Sequence, residues 1–178
     1  MLLTFFAHST TTDNEKHKAT GWLQGELSTK GIQQATELPN FIKDNSFVVV
    51  YSSDLKRAID SAKLGFGKTH NLRQDWRLRE ANYGDFDGQN KEFKQEMSNF
   101  IHNPYPNGES YTDVEQRIRE FLQDAQNEFG EQHIAVIGHE ATQLAIEVVA
   151  LNKTWEQVII ENWRPQGKWQ PGWQYVIN

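Results

Sequence analysis

The chain has 178 residues, 37% hydrophobic and 24% charged, with 24 acidic against 18 basic side chains and a net charge of -6. That length suits one domain, residues 1–178, with a full-sized core, and no lysine or arginine cluster offers the basic face that a nucleic-acid binder needs. There is no cysteine, which excludes disulfides, thiolate metal sites and cysteine nucleophiles together.

The opening MLLTFF is too short an apolar run for a signal peptide or a membrane span and lacks a basic flank. A cytoplasmic protein without membrane contact is therefore expected. Leu2 to Phe6 is a continuous apolar run, as a central parallel strand requires. Ser28 is a good N-cap for a helix carrying Ile32, Ala35 and Leu38 on one face, which Pro39 should end or kink. Phe47 to Tyr51 predicts a second strand, with a helix starting at Ser52-Ser53 and running through Ala58 and Ala62. Asn71 to Trp76 suits a short strand, and Asn82 to Gly88 a loop.

Asn90 to Ile101 is expected to be helical, on an excursion closed by Pro104 and Pro106. Ser110-Tyr111-Thr112-Asp113 has the form of a capping box before a helix whose apolar face includes Val114, Ile118 and Leu122. Ile134 to Ile137 is the clearest buried strand; Gly138-His139 follows it, then a helix to about Leu151. Trp163, Trp169 and Trp173, with Pro171, suggest an edge strand near the end, the aromatics serving packing or a subunit contact, with a wall of the substrate pocket as the alternative. Alternating strands and amphipathic stretches predict an α/β fold, a three-layer αβα sandwich with a mostly parallel central sheet.

In open parallel sheets the ligand crevice lies beyond the carboxyl ends of the strands. Helix N-termini there present free N–H groups that favour phosphate. His8 follows the first strand, His139 follows the last strong one, and Arg57 lies in the first turns of a helix after a strand. Each alone has an ordinary structural explanation. Together they converge on one end of the sheet.

With those residues in place, the sequence resembles the histidine phosphatase (phosphoglycerate mutase-like) superfamily. The segment Phe6-Ala7-His8-Ser9-Thr10-Thr11-Thr12-Asp13-Asn14 matches the family's opening motif at His8, Thr11 and Asn14. Tyr51-Ser52-Ser53-Asp54-Leu55-Lys56-Arg57-Ala58 is similar to its serine-serine and arginine-alanine stretch. Leu78-Arg79-Glu80 with Gly84 and Gly88 resembles the loop of the catalytic acid, Gly108-Glu109-Ser110 the segment before the next helix, and His139 the second histidine. The resemblance runs over residues 2 to 150 in the family's order.

The resemblance implies a phosphomonoesterase of the histidine acid phosphatase type, acting on a small phosphorylated metabolite without metal or cofactor. It implies His8 as phosphate acceptor, Glu80 as general acid and base, and His139 as a catalytic donor. Arg57, Asn14, Thr11, Ser9 and the backbone at Glu140 are the expected phosphate-binding residues. A neutral His8, one ring nitrogen free and the other held by a backbone acceptor, is what that chemistry needs.

Three positions depart from the family pattern. Ala7 replaces the arginine that ordinarily precedes the first histidine, and a lost charged donor of this kind costs about 3–4 kcal/mol of transition-state stabilisation. Ser9 and Glu140 stand where glycines are common. Arg79, Arg164, Lys16 and Lys18 are the candidate substitute cations. Two alternatives stay open: a mutase moving phosphate on a sugar acid, and a non-catalytic phospho-ligand binder. The histidines lack metal-type spacing, which leaves a metal-dependent phosphoesterase remote. Substrate identity and oligomeric state are left open.

Overall fold

The computed structural model describes residues 1–42 and 46–178. Among these, five strands form one sheet: β1 (Leu2–Ala7), β2 (Val49–Ser52), β3 (Leu72–Gln74), β4 (His133–Gly138) and β5 (Trp173–Val176). Their order is β3-β2-β4-β1-β5. The first four are parallel, and β5 runs antiparallel along the edge of β1.

Among the described residues seven α-helices flank or follow the sheet: α1 (Thr12–Glu15), α2 (Thr29–Glu37), α3 (Lys56–Phe66), α4 (Tyr111–Phe129), α5 (Glu140–Leu151), α6 (Trp155–Glu161) and α7 (Trp163–Gln166). Helices α2 and α3 pack together on one face, and α4 and α5 on the other. The strand period of two sorts the core between them. Leu3, Phe5, Val49, Tyr51, Ile134 and Val136 meet the α4–α5 side, while Phe6, Val50, Ala135 and Ile137 meet Ala58, Ala62 and Phe66 of α3. The result is the expected three-layer αβα sandwich with a mostly parallel sheet. No helix among the described residues is long and apolar enough to cross a membrane.

Several boundaries differ from the sequence expectation for local reasons. Ser28 does cap α2, accepting from the Gly31 N–H, but Ile32 points outward at 48% exposure. Gly31 takes the inward place. A Cβ there would lie 1.9 Å from the Thr10 carbonyl oxygen, so α2 sits hard against the loop after β1. Helix α3 begins at Lys56 rather than at Ser52–Ser53, because Ser53 turns its hydroxyl to His139. Phe47 precedes the strand and packs edge-on against Phe6 and Phe66. The segment Lys91–Phe100 is wound as tight three-residue turns with a break at Glu96, not as one α-helix. The capping box at Ser110 and Asp113 forms as expected, and β5 is the expected edge strand.

Candidate active site

In the register of the central strands Ala7 pairs with Gly138. His8 and His139 are the next residues on each strand, so their rings meet with centroids 4.9 Å apart. A cavity of about 1010 Å³ opens here, lined among others by Ala7, His8, Arg57, Glu80, Tyr83 and His139.

The His8 ring is oriented from behind. Its Nδ1 lies 2.9 Å from the Ser9 carbonyl oxygen, which can only accept, so Nδ1 carries the proton. Nε2 is left with its lone pair. Burial first, then the Arg57 charge, holds the imidazole down at about 3. His139 is tuned the same way, its proton affinity pushed well below the usual value by burial, Arg57 and His8. Its Nε2 lies 2.7 Å from Ser53 Oγ, which itself accepts from the Leu55 N–H. That arrangement lets the Ser53 hydroxyl donate to Nε2 and leaves Nδ1–H as the outward donor. Nδ1 is buried and has no hydrogen-bond partner among the described residues.

Arg57 is 2% exposed. Its Nη1 donates to the carbonyls of Leu23 and Gln24, and its Nη2 to that of Gly21. Of the five guanidinium hydrogens, Nε–H and one on Nη2 are left over, the pair that forms a bidentate side edge. Glu80, 6% exposed, has its Oε1 anchored by the N–H groups of Ala81 and Ala141 at 3.0 and 2.9 Å. Oε2 is left for the cavity, 3.8 Å from Lys94 Nζ. Arg117 fixes the loop beneath by donating to the carbonyls of Arg77, Arg79 and Glu80 while pairing with Glu109.

The other expected residues divide. Asn14 and Ser9 line the cavity; Asn14 also closes a capping box on α1, its Oδ1 accepting from the Thr11 N–H. Thr11 does not line the cavity. Its hydroxyl is buried as the other half of that box, accepting from the Asn14 N–H, and the expectation that it binds phosphate is corrected accordingly. Glu140 does line the cavity, but its carboxylate is engaged by Lys94 Nζ and Asn162 Nδ2, both at 2.6 Å. Burial pushes the Glu140 carboxyl up, but the Lys94 and Arg164 charges and the hydrogen bonds from Lys94 and Asn162 together outweigh it and hold the group down at about 2.

A family model described as the histidine phosphatase superfamily (branch 1) matches residues 3–162. The chain belongs to that superfamily. Its members similar to this chain include phosphoglycerate mutase 1 of Saccharomyces cerevisiae, 36% identical over 95 residues, covering 50% of this chain and 38% of the yeast protein. The 2,3-bisphosphoglycerate-dependent phosphoglycerate mutase of Streptococcus sanguinis is 37% identical over 95 residues, 50% of this chain and 41% of that one. The matched region thus spans about two fifths of these curated relatives. Among solved structures, the mycobacterial glucosyl-3-phosphoglycerate phosphatase in complex with VO3 superposes with a TM-score of 0.76 at 25% identity, covering 89% of this chain and 86% of that one. The alpha-ribazole phosphatase of Shigella flexneri shares the fold, with a TM-score of 0.77 at 23% identity over 90% and 84% of the two chains.

At this candidate site, sequence reasoning gave no role to Ser53, Lys94 or Asn162, while Tyr83 lies in the excursion expected to wall the pocket. Lys94 comes from the excursion, where its charge looks like any solvated helix face. Of the candidate cations, Arg79 is spent on Asp54 through two hydrogen bonds and Lys16 does not line the cavity. Lys18 lines it but is exposed. Arg164 lines it and is partly buried. Trp163 and Trp169 also form part of the wall, one of the two readings the sequence left open for them.

Two neutral histidines, His8 half-buried and His139 buried, make stability pH-dependent. Between about 3 and 6.5 the unfolded chain protonates His8 and the folded one does not, so the unfolded state binds more protons and stability rises with pH. His139 acts in the same direction. Glu140 adds stability that is full above its ordinary 4.5 and is lost as pH falls towards about 2. In phosphate-free buffer the urea midpoint is expected to drop from pH 7 to pH 5, as stability falls by up to about 1.4 kcal/mol per pH unit for each histidine. The double variant His8→Asn/His139→Asn should flatten the slope. An equal slope in that variant would contradict this origin.

Proposed function

We propose that the protein is a phosphatase that hydrolyses a small phosphate monoester through a phosphohistidine on His8. The observation that carries this is the His8 ring itself: Nδ1–H tied to the Ser9 carbonyl, Nε2 free and unprotonated, in a cavity shared with Arg57, Glu80 and His139.

The Nε2 lone pair attacks phosphorus in line, and the ester P–O bond breaks. Negative charge spreads over three equatorial oxygens, which need fixed donors more than covalent machinery. The Arg57 side edge and His139 Nδ1–H supply them, with Asn14 and Ser9 at the rim. Glu80 Oε2 gives its proton to the leaving oxygen. Water then attacks the phosphohistidine, Oε2 takes a proton from it, and the P–N bond breaks to return the lone pair to Nε2. Inorganic phosphate leaves and the site is reset.

The neighbour named as a glucosyl-3-phosphoglycerate phosphatase supports hydrolysis of a small organic phosphate, since its likeness extends over most of both chains. The 36% identity to a phosphoglycerate mutase supports phosphotransfer as a second reading. Rapid quenching with a 32P-labelled aryl phosphate in EDTA separates them. Hydrolysis predicts an acid-labile, alkali-stable label on the His8 peptide that decays to inorganic phosphate in water. Decay only on adding a sugar-acid acceptor would favour the mutase. Turnover with no label, or turnover abolished by EDTA, would rule out the phosphohistidine route.

A further inference from the structure

The charges around His8 fall short of what a phosphate dianion needs. His8 and His139 are neutral, and Lys94 is matched by Glu140 at 2.6 Å. Arg57 remains, opposed by the Glu80 carboxylate whenever that group is ionised. Ala7, at the position where the family resemblance leads one to expect an arginine, lines the cavity and brings no charge.

Arg164 stands across the same cavity with an unused donor. Its Nη2 is buried and has no hydrogen-bond partner, and Arg164 makes no ion pair among the described residues. Burying a cationic N–H without an acceptor is costly, and such orphans ask for a missing partner. His139 Nδ1 is a second orphan donor lining this cavity. The Arg164 charge is close enough to depress proton binding at His8 and to hold the Glu140 carboxyl down.

The guanidinium is also held in place. It lies over the Trp163 ring, 4.5 Å from the centroid. That indole donates from Nε1 to Gln143 Oε1 at 3.0 Å and stacks on Trp173. Asn162 Oδ1 accepts from the Arg164 backbone N–H at 3.2 Å and from Nη1 at 3.5 Å. Asn162 is in turn fixed by its Nδ2, which donates to Glu140 Oε1. The carboxylate that looks hostile to phosphate in the sequence thus anchors the side chain that positions a cation.

We propose that Arg164 donates its free Nη2–H to a phosphoryl oxygen, replacing the cation absent at Ala7, and that Glu140 and Asn162 are its positioning residues. This rests on the phosphate-binding half of the reading above and not on turnover.

The test measures inorganic phosphate affinity by calorimetry, and kcat/KM for p-nitrophenyl phosphate, in wild type, Arg164→Gln, Arg164→Lys and the double variant Ala7→Arg/Arg164→Gln. Arg164→Gln is expected to weaken phosphate at least about ten-fold and to lower kcat/KM about a hundred-fold. Arg164→Lys keeps the charge without the planar fork and should fall between. The double variant should regain part of both losses, which a merely structural role for Arg164 would not produce. Phosphate affinity unchanged in Arg164→Gln, or no phosphate binding by wild type, would overturn the proposal. If affinity falls as expected but no variant turns over, the Arg164 assignment stands and the hydrolase reading fails. If hydrolysis is intact and dependent on His8 while Arg164→Gln matches wild type, the reverse holds.

Discussion

His8→Ala is expected to hydrolyse aryl phosphates at least about a thousand-fold more slowly than wild type, with inorganic phosphate affinity changed only a few-fold. The split follows from the geometry. The groups proposed to hold the anion, Arg57 and His139, are fixed by Gly21, Leu23 and Ser53 rather than by His8. Removing the imidazole therefore deletes the attacking lone pair and leaves the donors standing. Steady-state rates and a phosphate titration on the same preparation check both halves. Equal rates in the two proteins would remove His8 as nucleophile. A collapse of phosphate affinity along with the rate would mean that the ring is a binding element instead.

The second large effect is expected at Glu80 and depends on the leaving group. Glu80→Gln keeps an acceptor for the Ala81 and Ala141 N–H groups, so the loop should hold its place. It removes the proton that Oε2 would deliver. An alkyl phosphate, whose leaving oxygen needs that proton, should lose about 10²- to 10⁴-fold in kcat/KM. p-Nitrophenyl phosphate, whose phenolate leaves unaided, should lose far less at the first step. Breakdown of the phosphohistidine still needs a base, so stopped-flow traces should show a burst of one nitrophenol per site followed by slow turnover. The same loss for both substrates with no burst would assign Glu80 to positioning.

Much of this site is legible in the sequence because strands leave a plain trace. The apolar runs ending at Ala7 and Gly138 are enough to put His8 and His139 at the carboxyl edge of the sheet. Arg57 and Glu80 follow from motif order. What stays hidden depends on long-range pairing. Lys94 and Arg79 look alike as single residues, yet one reaches the cavity and the other is held by Asp54 at 2.6 Å. Glu140 reads as a repulsive carboxylate because Lys94 and Asn162, the residues that satisfy it, lie far away in sequence. Thr11 looks like a phosphate donor, whereas its side chain is buried in the α1 cap and does not line the cavity. Ile32 is expected inward because its spacing fits, but Gly31, pressed on the Thr10 carbonyl, decides which way α2 faces.

The pairing of Ala7 with Gly138 also ties competence to the completion of folding. The two imidazoles belong to segments about 130 residues apart in sequence, joined by a parallel pairing of the kind that forms slowly because the intervening loop must close first. A slip of one residue would send alternate side chains to the opposite face and pull the rings out of line. A nascent or partly denatured chain can carry every residue of the site and still lack the site. The proposed activity would therefore work as an all-or-none reporter of the native central sheet, and species that have built only the α2–α3 half are expected to be silent.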